Sequence, residues 1–422
     1  EFHYLHRTPE GTPYDDPNLL AREVVRAARD TGLRIALLRV AYARSGFQLA
    51  PNPQQSRFIE TDADTYLRHV EQLKRDIELQ YSVPFVEAQP TKETHAQATK
   101  DAGTQPTPKG AHTQATNGAD ANAANEDGMF TLIAPHAWVG VAPHSTRAVP
   151  LHFLRTVCAF ADEHRLPVHM HVAEQQKELD DCLAEHGRTP VALLAGEGLL
   201  SERFNAVHAI HITEAEARAL AAARANVCAC PTTERNLGDG IVPADILFRA
   251  GVKVSLGTDS HTQIDLLEDA RELEYHLRLD KQRRNVLAPD DDAQRETLAA
   301  LNDEGDDKGD DEGRDEQARD KMSALAARLF ACASVNGARS IGARGGTLAA
   351  GQPADFFTVA LDDPSIAGAS QQDLLPSILF SLARTALRET VVGGRLIVAD
   401  GRHASSPEII ERFKALQRRL WS

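Results

Sequence analysis

Short apolar runs alternate with longer amphipathic stretches along most of the chain, and that alternation predicts its architecture. Residues 34–42 (Arg-Ile-Ala-Leu-Leu-Arg-Val-Ala-Tyr) form a mostly apolar run suited to a strand buried on both faces. Comparable runs recur at 136–143, 167–173, 205–212, 226–230 and 253–256, and residues 2–4 read as the end of one more. Between them lie helical patterns. Residues 64–81 carry Tyr66, Leu67, Val70 and Leu73 on one stripe. Further helices are expected at 150–164, 177–186, 190–195 and 214–224, from Ala244, and from about 262 to 284. Asp16 is the expected N-cap of a helix to about Thr31, with Pro17 at its first position.

Strand, loop and helix in repetition mean a parallel α/β fold. Seven strands can be counted, and a (β/α)8 TIM-type barrel has eight. The chain begins at Glu1, without Met, at what reads as the inside of a strand. The expectation is therefore a barrel whose first strand is missing from this chain, which as it stands would be inactive and unstable. Past the barrel, residues 389–400 read as a hairpin with Gly393 and Gly394 at its turn. The expected division is a barrel over 1–342, a small portion of a β-sandwich over 343–403, and a C-terminal helix over 404–422. Two stretches break the pattern. Residues 88–128 are poor in large apolar side chains and 302–320 are dense in Asp, Glu and Gly, so both are expected to be disordered insertions.

Composition narrows the function. A chain of 422 residues, 42% hydrophobic and 25% charged, can bury one barrel-sized core and a smaller one. The net charge of -15 argues against nucleic acid or an anionic membrane as partner. No run approaches the ~20 apolar residues of a membrane span, and no secretory signal is visible, so the expected location is the cytoplasm. The five cysteines lack zinc-finger spacing and read as small buried residues in a reducing compartment.

The chemistry gathers at strand ends. In Pro-Val-His-Met-His-Val-Ala-Glu-Gln, residues 167–175, period-two alternation puts His169 and His171 on one face, and Glu174 follows where the strand gives way to a loop. Collected in order, the strand-end candidates are Tyr4, His144, Arg147, His171, Glu174, His208, Glu234 and Asp259. His, His and Asp from separate strands, with a further carboxylate, match metal-assisted hydrolysis. A Gly-x-Ser-x-Gly elbow and a phosphate-cradling loop are both lacking. Arg147 suits bidentate capture of a substrate carboxylate, or equally a surface salt bridge.

Four segments carry a resemblance: 167–175, Val-His-Ala-Ile-His at 207–211, Cys-Pro-Thr-Thr-Glu-Arg-Asn-Leu-Gly-Asp-Gly at 230–240, and Gly-Thr-Asp-Ser-His at 257–261. Together they resemble the amidohydrolase superfamily. Phe-His-Tyr-Leu-His at 2–6, Pro-His-Ser-Thr-Arg-Ala-Val at 143–149 and Ala-Glu-Gln-Gln-Lys-Glu at 173–178 resemble, within it, the formimidoylglutamate deiminases of histidine breakdown. The resemblance implies one Zn2+ held by His171 and Asp259, with two further His ligands from a His-x-His strand upstream of this chain. It implies catalytic roles for Glu174 as proton shuttle, His208 beside the activated water, and Asp259 as acceptor of the water's proton. Tyr4, His144 and Arg147 would bind the substrate, with Arg147 facing the glutamate carboxylates. His169 would support, and His211 and His261 would be structural. Arg235 stands where a smaller residue is expected. The implied reaction is hydrolytic deimination of N-formimino-L-glutamate to N-formyl-L-glutamate and ammonia, by an enzyme with a small-molecule substrate that forms a homodimer. Two alternatives remain: a deaminase of guanine or a related aminated heterocycle, and a non-catalytic paralogue.

Overall fold

Seven runs do become strands, and each pairs with its successor. The computed structural model describes residues 2–49, 52–81, 135–289 and 311–421. The strands are β1 (Phe2–His3), β2 (Ile35–Ala41), β3 (Ala137–Pro143), β4 (Val168–Val172), β5 (Phe204–His208), β6 (Asn226–Ala229) and β7 (Lys253–Leu256), hydrogen-bonded in that order and all parallel. With helices between them they form a TIM-type α/β barrel. Among the described residues β1 and β7 are the outer strands and do not pair with each other.

The apolar pattern explains the layering. β4 and β5 are buried at every position, as strands covered on both faces must be. Helix Ala63–Tyr81 buries Tyr66, Val70 and Leu73, the stripe read from the sequence, and Leu151–His164 buries Phe153, Leu154 and Val157. Under the barrel, His169 Nε2 and Asn205 Nδ2 both donate to the Ser340 carbonyl at 2.9 Å, tying helix Val335–Ser340 to β4 and β5. His169 thus faces away from the strand ends. The C-terminal part forms a four-stranded antiparallel sheet, β8 (Phe356–Val359), β9 (Leu387–Val392), β10 (Arg395–Ala399) and β11 (Arg402–His403), in the order β11-β10-β9-β8. Gly393 and Gly394 turn the β9–β10 hairpin at φ of 57° and 80°, values that a two-residue turn of this hand requires and glycine supplies. Helix Ser406–Trp421 ends the chain with no buried residue.

Several expectations are corrected. Residues 231–240, read as a loop, contain helix Pro231–Leu237, with proline at its start and Gly238 capping its end at φ 73°. Residues 311–320, read as part of a disordered acidic insertion, belong to helix Asp311–Ala333, whose later turns bury Leu325, Ala326, Leu329 and Cys332 against the barrel core. The first long helix is Leu19–Asp30 with Asn18 as its cap position; Asp16 instead accepts from the Asn18 N–H and pairs with Arg22. Residues 88–128 and 302–310 lie outside the described residues. No described helix is long and apolar enough to cross a membrane.

One buried ion pair ties β2 to the segment that leads into helix Ala63–Tyr81. Arg39 is fully buried, with its guanidinium on the Glu60 carboxylate, its Nε donating to Asn18 Oδ1 at 3.1 Å, and its charge 5.4 Å from the Tyr66 ring centre. Burial pushes Glu60 up, but His69 and Arg39 outweigh it and hold the carboxyl far below its ordinary value. A carboxyl held below its unfolded value contributes stability above about pH 4.3, and the contribution drains away as pH falls below that. Glu60→Leu, which strands the guanidinium, should cost about 3–5 kcal/mol in urea unfolding at pH 7. A cost under about 1 kcal/mol would contradict this account of the pair.

Candidate active site

Parallel register brings the chemistry to one rim. His171 pairs with Val207 and Val172 with His208, so the two imidazoles leave neighbouring strands about one residue apart in height. Asp259 follows β7 by three residues. The backbone at this rim is strained: Ala173, His208, Ala209 and Asp259 have φ of 52°, 72°, 51° and 41°, in the left-handed region that residues with a Cβ seldom adopt. The bends are held by hydrogen bonds, Ala209 N–H donating to Val172 O at 3.0 Å and His211 N–H to Ala173 O at 3.0 Å.

One atom each of His171, His208 and Asp259 lies within 4.8 Å of the other two. His171 Nε2 is 3.6 Å from Asp259 Oδ1, and His208 Nε2 is 3.9 Å from Asp259 Oδ2 and 3.7 Å from Glu174 Oε1. These separations are too long for hydrogen bonds. His171 Nδ1 donates to the His144 carbonyl at 3.1 Å, which leaves the Nε2 lone pair free. His208 Nε2 is buried without a hydrogen-bond partner. A tetrahedral ion with donors at about 2.0–2.1 Å holds them about 3.3–3.4 Å apart, so the donor type and spacing of His171 and Asp259 fit a divalent ion of the zinc class.

The electrostatics divide the titrating groups. Burial, reinforced by His171, brings His208 down to about 4, so it is neutral at pH 7 despite Glu174 and Asp259 nearby. His144 is pushed well below its ordinary value by burial, His171 and Arg147. Burial raises the Asp259 carboxyl, but His171, His208 and His261 outweigh it and the net shift is downward. Glu234 goes the other way: burial, with Asp239, Asp259 and Glu174 adding to it, pushes it up to about 8.

Around this centre stands an aromatic and cationic wall. Tyr4 and His144 rings are 5.5 Å apart, and His144 is 4.8 Å from His171. Arg147 Nη2 reaches Glu174 Oε2 at 3.3 Å. Every residue singled out as catalytic, substrate-binding or metal-ligating therefore lies in one group. His211 instead bonds the Asp239 carbonyl at 2.9 Å, and exposed Arg235 turns to Glu272 on helix Leu266–Lys281.

Sequence reasoning missed the residues that steady this group. Thr233 Oγ1 donates to the Thr258 carbonyl at 3.0 Å and accepts from the Ser260 N–H at 3.1 Å, gripping both sides of Asp259. Thr232 bonds Asp269 Oδ1 through N and Oγ1, at 3.1 and 2.8 Å, pinning helix Pro231–Leu237 to the helix after β7. Glu178 accepts the Glu174 N–H at 3.1 Å, and Tyr42 packs its ring 4.7 Å from His144. Proline at 231 with glycine at 238 was the available signal for the first two.

Comparison with known proteins places the chain in a family. The model of the amidohydrolase family matches residues 8–302 and 311–397. Formimidoylglutamate deiminase of Pseudomonas aeruginosa is 30% identical over 413 residues, which cover 98% of this chain and 72% of that protein. A 5-methylthioadenosine/S-adenosylhomocysteine deaminase of Pyrococcus furiosus is 27% identical over 276 residues, 65% of this chain and 57% of its own length. Among solved structures, an amidohydrolase from Brucella melitensis superposes with a TM-score of 0.74 at 28% identity, covering all of this chain and 74% of that one. An adenosine deaminase from Xanthomonas campestris with bound zinc shares the fold, with a TM-score of 0.63 at 18% identity over 95% of this chain and 69% of its own. The chain belongs to the amidohydrolase family.

Proposed function

We propose that this chain hydrolyses a linear amidine bearing carboxylates, N-formimino-L-glutamate, to N-formyl-L-glutamate and ammonia, with one Zn2+ held by His171 and Asp259. What carries the reading is Arg147: a cation 3.3 Å from Glu174, on the same rim as the metal-type donors, suits a substrate with a carboxylate near its scissile carbon. The likeness to the Pseudomonas deiminase supports the same substrate.

A divalent ion supplies Lewis acidity and lowers the pKa of a coordinated water to about 7. The chain's own groups do the rest. Tyr4, His144 and Arg147 orient the substrate so that its formimino carbon meets the water. Neutral His208, through Nε2, and the Asp259 carboxylate accept the water's proton as its oxygen adds to that carbon. Both of the water's protons reach the imino nitrogen: Glu174 relays one as the C–O bond forms, the one accepted by His208 and Asp259 follows, the C–N bond then breaks, ammonia leaves, and the carbonyl of the formyl product forms. A positioned acid/base contributes about 10²–10⁴-fold.

In the protein expressed from its complete reading frame, ammonia release is expected with N-formimino-L-glutamate and not with guanine or 5′-methylthioadenosine; the reverse preference would assign a heterocycle deaminase instead. Glu174→Gln should cut kcat by about 10²–10⁴-fold, and wild-type turnover in that variant would remove Glu174 from the mechanism. Arg147→Met should raise KM for N-formimino-L-glutamate about 10–100-fold while leaving hydrolysis of formamidine, which lacks a carboxylate, unchanged. An equal loss on both substrates would mean that Arg147 supports Glu174 and not the substrate. Thr233→Val should weaken Zn2+ binding about 10–100-fold in calorimetric titration, because Asp259 loses its brace; unaltered affinity would refute the brace.

A further inference from the structure

Glu234 stands beside the proposed chemistry without a part in it. Its Oε1 is 3.1 Å from His208 Nδ1 and 2.9 Å from the backbone nitrogen of Cys230. A backbone N–H can only donate, so Oε1 is an acceptor. The hydroxyl oxygen of a carboxylic acid is a poor acceptor, so any proton on this carboxyl belongs on the other oxygen, and Oε1 faces His208 as an acceptor in either state. The hydrogen of the neutral imidazole must then sit on Nδ1, and Nε2 keeps its lone pair. That nitrogen is buried, unpartnered, and turned toward Glu174 and Asp259.

Rigidity makes this a constraint and not a passing contact. Thr232 and Thr233 fasten the short helix that carries Glu234 at both Asp269 and the Thr258–Ser260 turn. His208 itself sits at φ 72°, so its ring direction is set by a backbone with few alternatives. Both partners are almost fully buried, and water cannot replace either.

We propose that Glu234 is a positioning residue that fixes His208 as the Nδ1–H tautomer, through an oxygen locked as acceptor by the Cys230 N–H, and so reserves Nε2 for the water's proton. The proposal deepens the hydrolytic reading above and rests on it for its kinetic consequence. It also makes a charge at 234 unnecessary. A glutamine there can offer its amide oxygen to both N–H groups, whereas the flipped amide would set NH2 against two donors. Glutamine should therefore substitute, although an amide beside a histidine can force the wrong tautomer where nothing fixes its orientation.

The test combines kinetics with side-chain nitrogen NMR on ¹⁵N-histidine protein from the complete reading frame, His208 being assigned by its loss in His208→Gln. The parent and Glu234→Gln should both show the Nδ1–H pattern for His208. Glu234→Gln should keep kcat within roughly tenfold, about the worth of one altered hydrogen bond. Glu234→Leu should lose the pattern and about 10²–10⁴-fold in kcat, with KM little changed because residue 234 does not touch substrate. An Nε2–H tautomer in the parent overturns the proposal, as does a Glu234→Gln variant that keeps its fold yet loses as much kcat as Glu234→Leu. Should Glu234→Leu fail to fold, the parent and glutamine spectra decide alone. If the parent shows Nδ1–H but releases no ammonia, the substrate reading fails and the tautomer assignment stands.

Discussion

Parallel strand register holds this site together. His171, His208 and Asp259 come from three strands, and no hydrogen bond links any two of them. They converge because β4, β5, β6 and β7 pair in step, with His171 against Val207, and because left-handed backbone at His208 and Asp259 turns those residues out of strand alternation. A one-residue slip of β4 would turn His171 to the opposite face. The strained residues after the strands then bend the chain inward, so the barrel's packing sustains backbone conformations that a free loop would abandon.

Around that convergence the protein gives chemically similar groups different environments. Asp259, facing imidazoles, has its carboxyl held below the ordinary value; Glu234, buried among other acids, is raised to about 8. His208 is kept neutral by burial and by His171. A neutral imidazole beside an ionised carboxylate gives the rim a proton acceptor and a metal-type donor, the pair that metal-assisted hydrolysis uses.

Much of this could be read from residue order alone. Runs such as 34–42 and 167–173 are apolar on both faces, and only a covered parallel sheet accommodates several of them. Tyr66, Val70 and Leu73 declared their helix by spacing. His171 with Glu174 three residues on, and Asp259 after Gly257 and Thr258, marked strand ends because polar groups replace apolar ones there abruptly. The helix carrying Glu234 escaped notice because it is polar and seven residues long, so its Pro231 and Gly238 read as loop punctuation. The acidic run before Lys321 suggested solvated coil, yet helix Asp311–Ala333 includes its residues from 311 on, since the later turns of that helix are buried. The supports from Thr233 to Ser260 and from Glu178 to Glu174 were beyond reach, since contacts across elements have no local signature.

The proposed hydrolysis depends on one cation lying between the β4 histidine and the aspartate after β7. Anomalous diffraction at the zinc absorption edge, from crystals of the complete protein grown with Zn2+, addresses it directly. A single strong peak is expected within about 2.0–2.3 Å of both His171 Nε2 and the Asp259 carboxylate. Density showing those two side chains hydrogen-bonded to each other, with the metal elsewhere or absent, would contradict the account.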